Sequence, residues 1–142
     1  MNIITFEHHA FNIICETADA DEPPVKLDDA FQFSMGGQIL YWTCYEYGDF
    51  VNVLIAFRDC ADNEKFDDRL DLLEHLNKKN TLNKLVNFSI DDGVLTASAS
   101  SMVTENGYTQ EFHLALVEYL VSEARTLKLE LKLNRPSSRA SP

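Results

Sequence analysis

Leu72-Leu73-Glu74-His75-Leu76-Asn77-Lys78-Lys79-Asn80 and, a short step further on, Asn87-Phe88-Ser89-Ile90-Asp91-Asp92-Gly93-Val94-Leu95-Thr96-Ala97-Ser98 read as an amphipathic helix that feeds directly into a β-hairpin. Phe66, Leu70, Leu73 and Leu76 recur at steps of four, three and three, the spacing of one helical face. Asp62 or Asn63 is the expected N-cap, and the acidic residues of the first turn complement the helix dipole. Asn77, Asn80 and Asn83 lower helix propensity, so a kink or a stop is expected there. Val86, Phe88 and Ile90 then alternate as a strand, Asp91-Asp92-Gly93 turns the chain, and Val94 to Met102 returns. Its small residues Ala97, Ser98, Ala99 and Ser100 leave room for a helix to approach closely.

Outward toward the N-terminus the chain reads as a helix followed by three strands. Ile3, Phe6, Ala10, Phe11, Ile13 and Ile14 keep helical spacing up to about Thr17. Asp19 to Asp29, with Pro23-Pro24 inside it, cannot continue that helix and is expected to be a loop or a mobile tether. A short strand from Ala30 to Met35 meets Gly36-Gly37, which supplies the positive φ of a tight hairpin. Gln38–Tyr47 and, after Gly48-Asp49, Phe50–Phe57 follow as strands, the former rich in β-formers on both faces.

Outward toward the C-terminus, Asn106-Gly107 breaks the chain and Thr109 can cap a long helix striped by Phe112, Leu116, Leu120, Ala124, Leu127 and Leu131. Residues 127–133 also alternate with period two, which leaves a strand open, but leucine, lysine and glutamate favour helix. From Pro136 onward the composition is that of a disordered tail. The expectation is one α+β domain over residues 1–135, in two layers, with the order α-β-β-β-α-β-β-α and an antiparallel sheet packed by helices.

At 142 residues, 45% of them hydrophobic, the chain is long enough for one core and too apolar for intrinsic disorder. Its net charge of −11 repels phosphate backbones, which argues against nucleic acid as a partner. The acidity lies in the first half: residues 1–74 hold 16 acidic and 4 basic side chains, net −12. It reads as a solvated surface, with a docking surface for a basic partner as the alternative. Cys15, Cys44 and Cys60 form no CxxC pair, so no disulfide framework or zinc knuckle is indicated, and a reducing compartment fits. With no basic leader at Met1 and no apolar run of ~18 residues, the expectation is a soluble cytoplasmic protein with no membrane partner.

Chemistry-bearing motifs are missing at every spacing that would need them. The histidines stand as His8-His9, His75 and His113 without HExxH, and Asp59 to Glu64 lacks the turn glycine of a calcium loop. All five glycines are absorbed by turns, which leaves no phosphate cradle. Cys44 in mid-strand reads as a small buried hydrophobe. No enzyme, cofactor or metal is expected. A small-ligand binder or enzyme would need His9, His75 or His113 beside a buried carboxylate.

What the composition does supply is more apolar sheet than one layer of helices covers. Tyr41, Trp42 and Tyr45 on one strand, Phe50, Asn52 and Leu54 on the next, and Leu129 and Leu133 off the main helical stripe are the surplus. The alternative is that they fill a two-layer core. The expected protein-binding residues are Tyr41, Tyr45, Phe50, Asn52 and Leu54. The expected dimer contact, through the second or third helix, is Phe66, Leu70, Leu129 and Leu133.

This order of elements resembles the type III secretion chaperone-like superfamily. Within it, Leu76-Asn77-Lys78-Lys79-Asn80 followed by Phe88-Ser89-Ile90-Asp91-Asp92-Gly93-Val94-Leu95 is similar to the helix-to-hairpin signature of the bacterial YbjN family. Class I secretion chaperones share the layout, and the resemblance spans about residues 28–133. It implies homodimers of α/β protomers without catalytic residues. For the chaperones it implies an extended client segment held in apolar grooves of sheet and helix; for YbjN-like proteins, a regulatory role without a secretion client. The Asp19–Asp29 segment is longer than the usual link, and no residue identifies a cargo.

Overall fold

Ten consecutive residues, Gln38–Tyr47, place Leu40 and Trp42 on one side of a strand and Tyr41, Thr43 and Tyr45 on the other, and the rest of the sheet inherits that division. The computed structural model describes residues 2–58, 70–82 and 85–133, with the backbone alone at 70, 71, 132 and 133. The chain runs α1 (Ile3–Thr17), β1 (Val25–Lys26), β2 (Phe31–Met35), β3 (Gln38–Tyr47), β4 (Phe50–Arg58), α2 (Leu70–Leu82), β5 (Val86–Asp91), β6 (Val94–Val103) and α3 (Gln110–Leu133). One sheet holds the strands in the order β1-β2-β3-β4-β6-β5, all neighbours antiparallel. This is the expected α+β class and element order with one strand added.

That strand corrects the reading of residues 19–29 as a loop or mobile tether. Val25 and Lys26 pair with Gln32 and Phe31. The Asp19 carboxylate accepts from both Gly36 and Gly37 amides at 2.9 Å, and the Asp19 N–H donates to the Ser34 carbonyl at 2.7 Å. The Ser34 hydroxyl donates to Glu22 at 2.6 Å. Pro23 and Pro24 do exclude helix here, but the segment's acids have backbone donors to hold, so it is bolted along the outer edge of β2.

The helices cover one face of the sheet. Val51, Val53, Ile55 and Phe57 of β4 and Leu95, Ala97 and Ala99 of β6 are buried beneath them. α1 packs on β2 and α3, α2 on β5, and α3 on β4 and β6. Ala97 and Ala99 are the small residues that let α3 lie close, whereas Ser98 and Ser100 point to the opposite face. Trp42, assigned from its sequence position to the surplus surface, is instead at the centre of the core at 2% exposure. Its ring meets Phe6, Phe31 and Tyr108 at centroid distances of 6.2, 5.5 and 6.0 Å.

Local signals explain the helix ends that are described. The Asn2 side chain caps α1, accepting from the Ile4 and Thr5 amides. Thr109 caps α3, its hydroxyl accepting from the Phe112 amide at 3.1 Å. The helix then runs to Leu133, so the period-two stretch 127–133 is helical. Leu127 is buried under that stripe and Leu129 is exposed. α2 reaches Leu82, inside the asparagine run where a stop is expected; its start, with the Asp62 or Asn63 cap, and the tail from 136 lie outside the described residues.

Candidate functional site

The three histidines singled out above stand apart. The exposed His9 of α1 lies 2.8 Å through Nε2 from the Tyr108 carbonyl. His75 of α2 pairs at 3.1 Å with Glu130 of α3, which also receives the Lys79 ammonium at 3.0 Å. Partial burial pushes the Glu130 carboxyl up, but hydrogen bonds from Lys79 and His75 outweigh it and hold the group below its usual range. This is a clamp between two helices, a third exposed on both sides.

His113 is fully buried, and its surroundings define its proton. The Trp42 indole N–H, which can only donate, gives to the Tyr108 hydroxyl at 2.9 Å. The hydroxyl therefore donates onward to Nδ1 of His113, which places the imidazole hydrogen on Nε2. That Nε2 has no hydrogen-bond partner among the described residues. Burial lowers the His113 pKa to about 4 and holds the Tyr108 phenol above its usual value. Phe33 packs on the ring at a centroid distance of 5.6 Å, so hydrocarbon flanks the end of the relay.

Cys44 is half-buried rather than fully buried, and Glu7 of α1 approaches it. Its Sγ lies 3.9 Å from Glu7 Oε1, and burial, reinforced by that carboxylate, pushes the thiol up to about 12. The pair borders a cleft of about 120 Å³ lined by residues 26–31 and 42–44. A thiol held protonated beside a carboxylate is a poor nucleophile and a poor metal ligand. Among the described residues no group of three or more His, Cys, Asp or Glu is arranged to hold a metal ion.

The face of the sheet turned away from the helices is the feature that remains. Register places Tyr41 opposite Ala56, Thr43 opposite Leu54, Tyr45 opposite Asn52 and Tyr47 opposite Phe50. All five sequence-chosen residues, Tyr41, Tyr45, Phe50, Asn52 and Leu54, therefore lie on this face together. Tyr45 is 60% and Phe50 48% exposed, while Tyr41, Asn52 and Leu54 are half-buried between neighbours. Ile39, Tyr47 and Met102 join them at 46, 60 and 50% exposure. Tyr47 follows from continuing the alternation of Tyr45. Met102 faces Asn52 only because β6 is the neighbour of β4, which no local signal announces.

Among the described residues the charge on this face lies at one end, where Arg58 meets Asp91 at 3.5 Å and the Glu22 carboxylate takes the Ser34 hydroxyl beside Ile39. From there Ala56, Leu54, Asn52 and Phe50 on β4, Tyr41, Thr43, Tyr45 and Tyr47 on β3 and Ser98, Ser100 and Met102 on β6 carry none. Of the expected dimer contacts, Leu129 is 59% exposed on α3. Leu133 lies one turn further along the same helix, Leu70 opens the described part of α2, and Phe66 falls outside the described residues.

No family model and no curated protein matches this chain. Among solved structures it is similar to the crystal structure of YbjN from E. coli, described as a candidate transcription regulator. The similarity has a TM-score of 0.49 at 13% identity and covers 95% of this chain and 94% of that one. No helix among the described residues is long and apolar enough to cross a membrane.

Proposed function

We propose that this protein is a non-enzymatic protein-binding module, cytoplasmic and regulatory in kind, that works through the open face of its sheet. One observation carries the reading: in a chain of net charge −11, the described residues in the middle of that face carry no charge and present Tyr45, Tyr47, Phe50 and Met102 to solvent. Aromatic and methionine side chains around a charge-free centre are the composition of an interface core. Residues with the chemistry of catalysis are spent on structure: His75 in a helix clamp, His113 in a buried relay, Cys44 against Glu7.

The test is affinity capture from the source cells with the wild-type chain, Phe50→Asp and Tyr45→Asp, read by mass spectrometry. Both substitutions point outward, so far-UV circular dichroism should not change. Partners held by the wild type and lost with either aspartate support the reading; a full set of partners retained by both variants refutes it. Capture of exported proteins through the same face would make the module a chaperone with a client rather than a regulator.

A further inference from the structure

Resting on that reading, we infer that the partner offers this face an amphipathic α-helix, basic toward both ends, which lies along β4 and β6. Register sets Ala56 beside Ser98 and, two residues on, Leu54 beside Ser100. Ala56, Ser98 and Ser100 make a low floor between the tyrosines of β3 and the outer strand β5. At one end the floor opens into a cleft of about 630 Å³ lined by Tyr41, Ala56, Arg58, Ser89, Asp91 and Thr96. At the other end Phe50 and Met102 rise from it, 48 and 50% exposed. From β3 to β5 are three strand spacings, about 14 Å, and a helix with its side chains is about 10–12 Å across. From Thr96 to Met102 is about 20 Å along β6, the length of roughly thirteen helical residues.

The backbone decides between a helix and an extended segment. β4 is paired on both sides, by β3 and by β6, so the middle of the face offers an occupant side chains only. An extended segment lying there would bury its amides and carbonyls against Tyr, Phe, Leu and Met side chains with nothing to pair them, which is strongly disfavoured. A helix pairs its own backbone and brings an apolar residue to one side every three or four positions, which suits Tyr45, Phe50, Leu54 and Met102.

Charge decides what stands at the ends of that stripe. Glu22 and Asp91 lie at the cleft end of the floor. Asp49, in the turn between β3 and β4, and Glu105, just past β6, lie at the other, and both are exposed. Arg58 is the one cation of this face among the described residues, and Asp91 already holds it. Glu22, Asp49 and Glu105 form no ion pair with a described residue. An apolar centre between acidic ends is complementary to an apolar stripe between lysines or arginines, and the net charge of −11 draws such a helix in.

Fluorescence anisotropy with labelled peptides of about 18 residues tests this. The first has leucine at every third or fourth position, lysine in its first and last turns and glutamine elsewhere. The second has glutamate in place of lysine, and the third is the first with a central proline. The first should bind, and the second and third should each bind at least about tenfold more weakly. The uncharged truncations Phe50→Ser and Met102→Ser should each weaken binding of the first about tenfold, whereas Leu129→Asp on α3 should leave it unchanged. Circular dichroism identifies any variant that has not folded, and the two truncations are independent of each other in that respect. Equal binding of the three peptides, or of the wild type and both truncations, overturns the inference. So does a wild-type dimer in light scattering that Phe50→Ser splits, because a second copy then holds the face. If the lysine peptide does not bind while Phe50→Asp still abolishes capture of a cellular partner, the helical occupant falls and the binding reading stands.

Discussion

Acidification should destabilise this protein by a specific amount over a specific window, and His113 is the reason. Its folded-state pKa is lowered from 6.5 to about 4 by burial, so the folded protein needs the ring neutral. As pH falls through 6.5 the unfolded chain gains a proton that the folded chain refuses, and stability drops until about pH 4, below which both forms are protonated. A shift of that size corresponds to about 3 kcal/mol. The geometry gives the same sign. A protonated ring would have to donate from Nδ1 to the Tyr108 hydroxyl, which already accepts from Trp42 and would lose the acceptor for its own hydrogen.

Urea unfolding from about pH 7.5 to about pH 4 would measure this, with His113→Gln as the comparison, since glutamine can accept from Tyr108 and does not titrate. The wild type should lose about 3 kcal/mol more than the variant between those limits. Glu130, whose pKa is lowered, loses stability only as pH falls below its ordinary range, and both proteins share that loss, so it cancels in the comparison. Equal slopes for the two proteins, or an imidazole NMR titration placing His113 near its ordinary pKa, would refute the reasoning.

Tyr108→Phe removes one oxygen but strands the Trp42 N–H and His113 Nδ1 in the core, and chemical denaturation should show a loss of about 2–4 kcal/mol. Asn80→Leu should cost about 1–3 kcal/mol by unpairing the Phe88 backbone, and static light scattering should show added concentration-dependent aggregation from the opened β5 edge. Cys44 should react with a maleimide far more slowly than the exposed Cys15 at neutral pH, by peptide mapping, and Glu7→Gln should narrow the gap by removing the neighbouring charge.

Some of this was legible one element at a time. The strand Gln38–Tyr47 was bounded correctly from its β-formers and flanking glycines, and the Thr109 cap from a hydroxyl before a leucine stripe, because both depend on neighbours in the chain. Trp42 was misplaced for the complementary reason: alternation separates Trp42 from Tyr41 but does not say which of two apolar faces the helices will take. The Asn77–Asn83 run read as a helix breaker, and Asn80 turned out to have a tertiary partner in Phe88. The tether of residues 19–29 read as free because its acids were seen without the glycine amides that hold them.

Taken alone, the sequence determined the three helices, the five longer strands and their order, and the period-two division that puts Tyr41, Tyr45, Phe50, Asn52 and Leu54 on common faces, since each follows from backbone geometry within a few residues. Tertiary structure decided which face the helices take, that β6 rather than β5 lies beside β4 and brings Met102 to the other face, and that Asn80 pairs with Phe88 of β5 and Asp19 with Ser34 of β2. Those outcomes join residues far apart in the chain. They are settled by which packing buries the most apolar surface with every backbone group paired, and no local window contains that comparison.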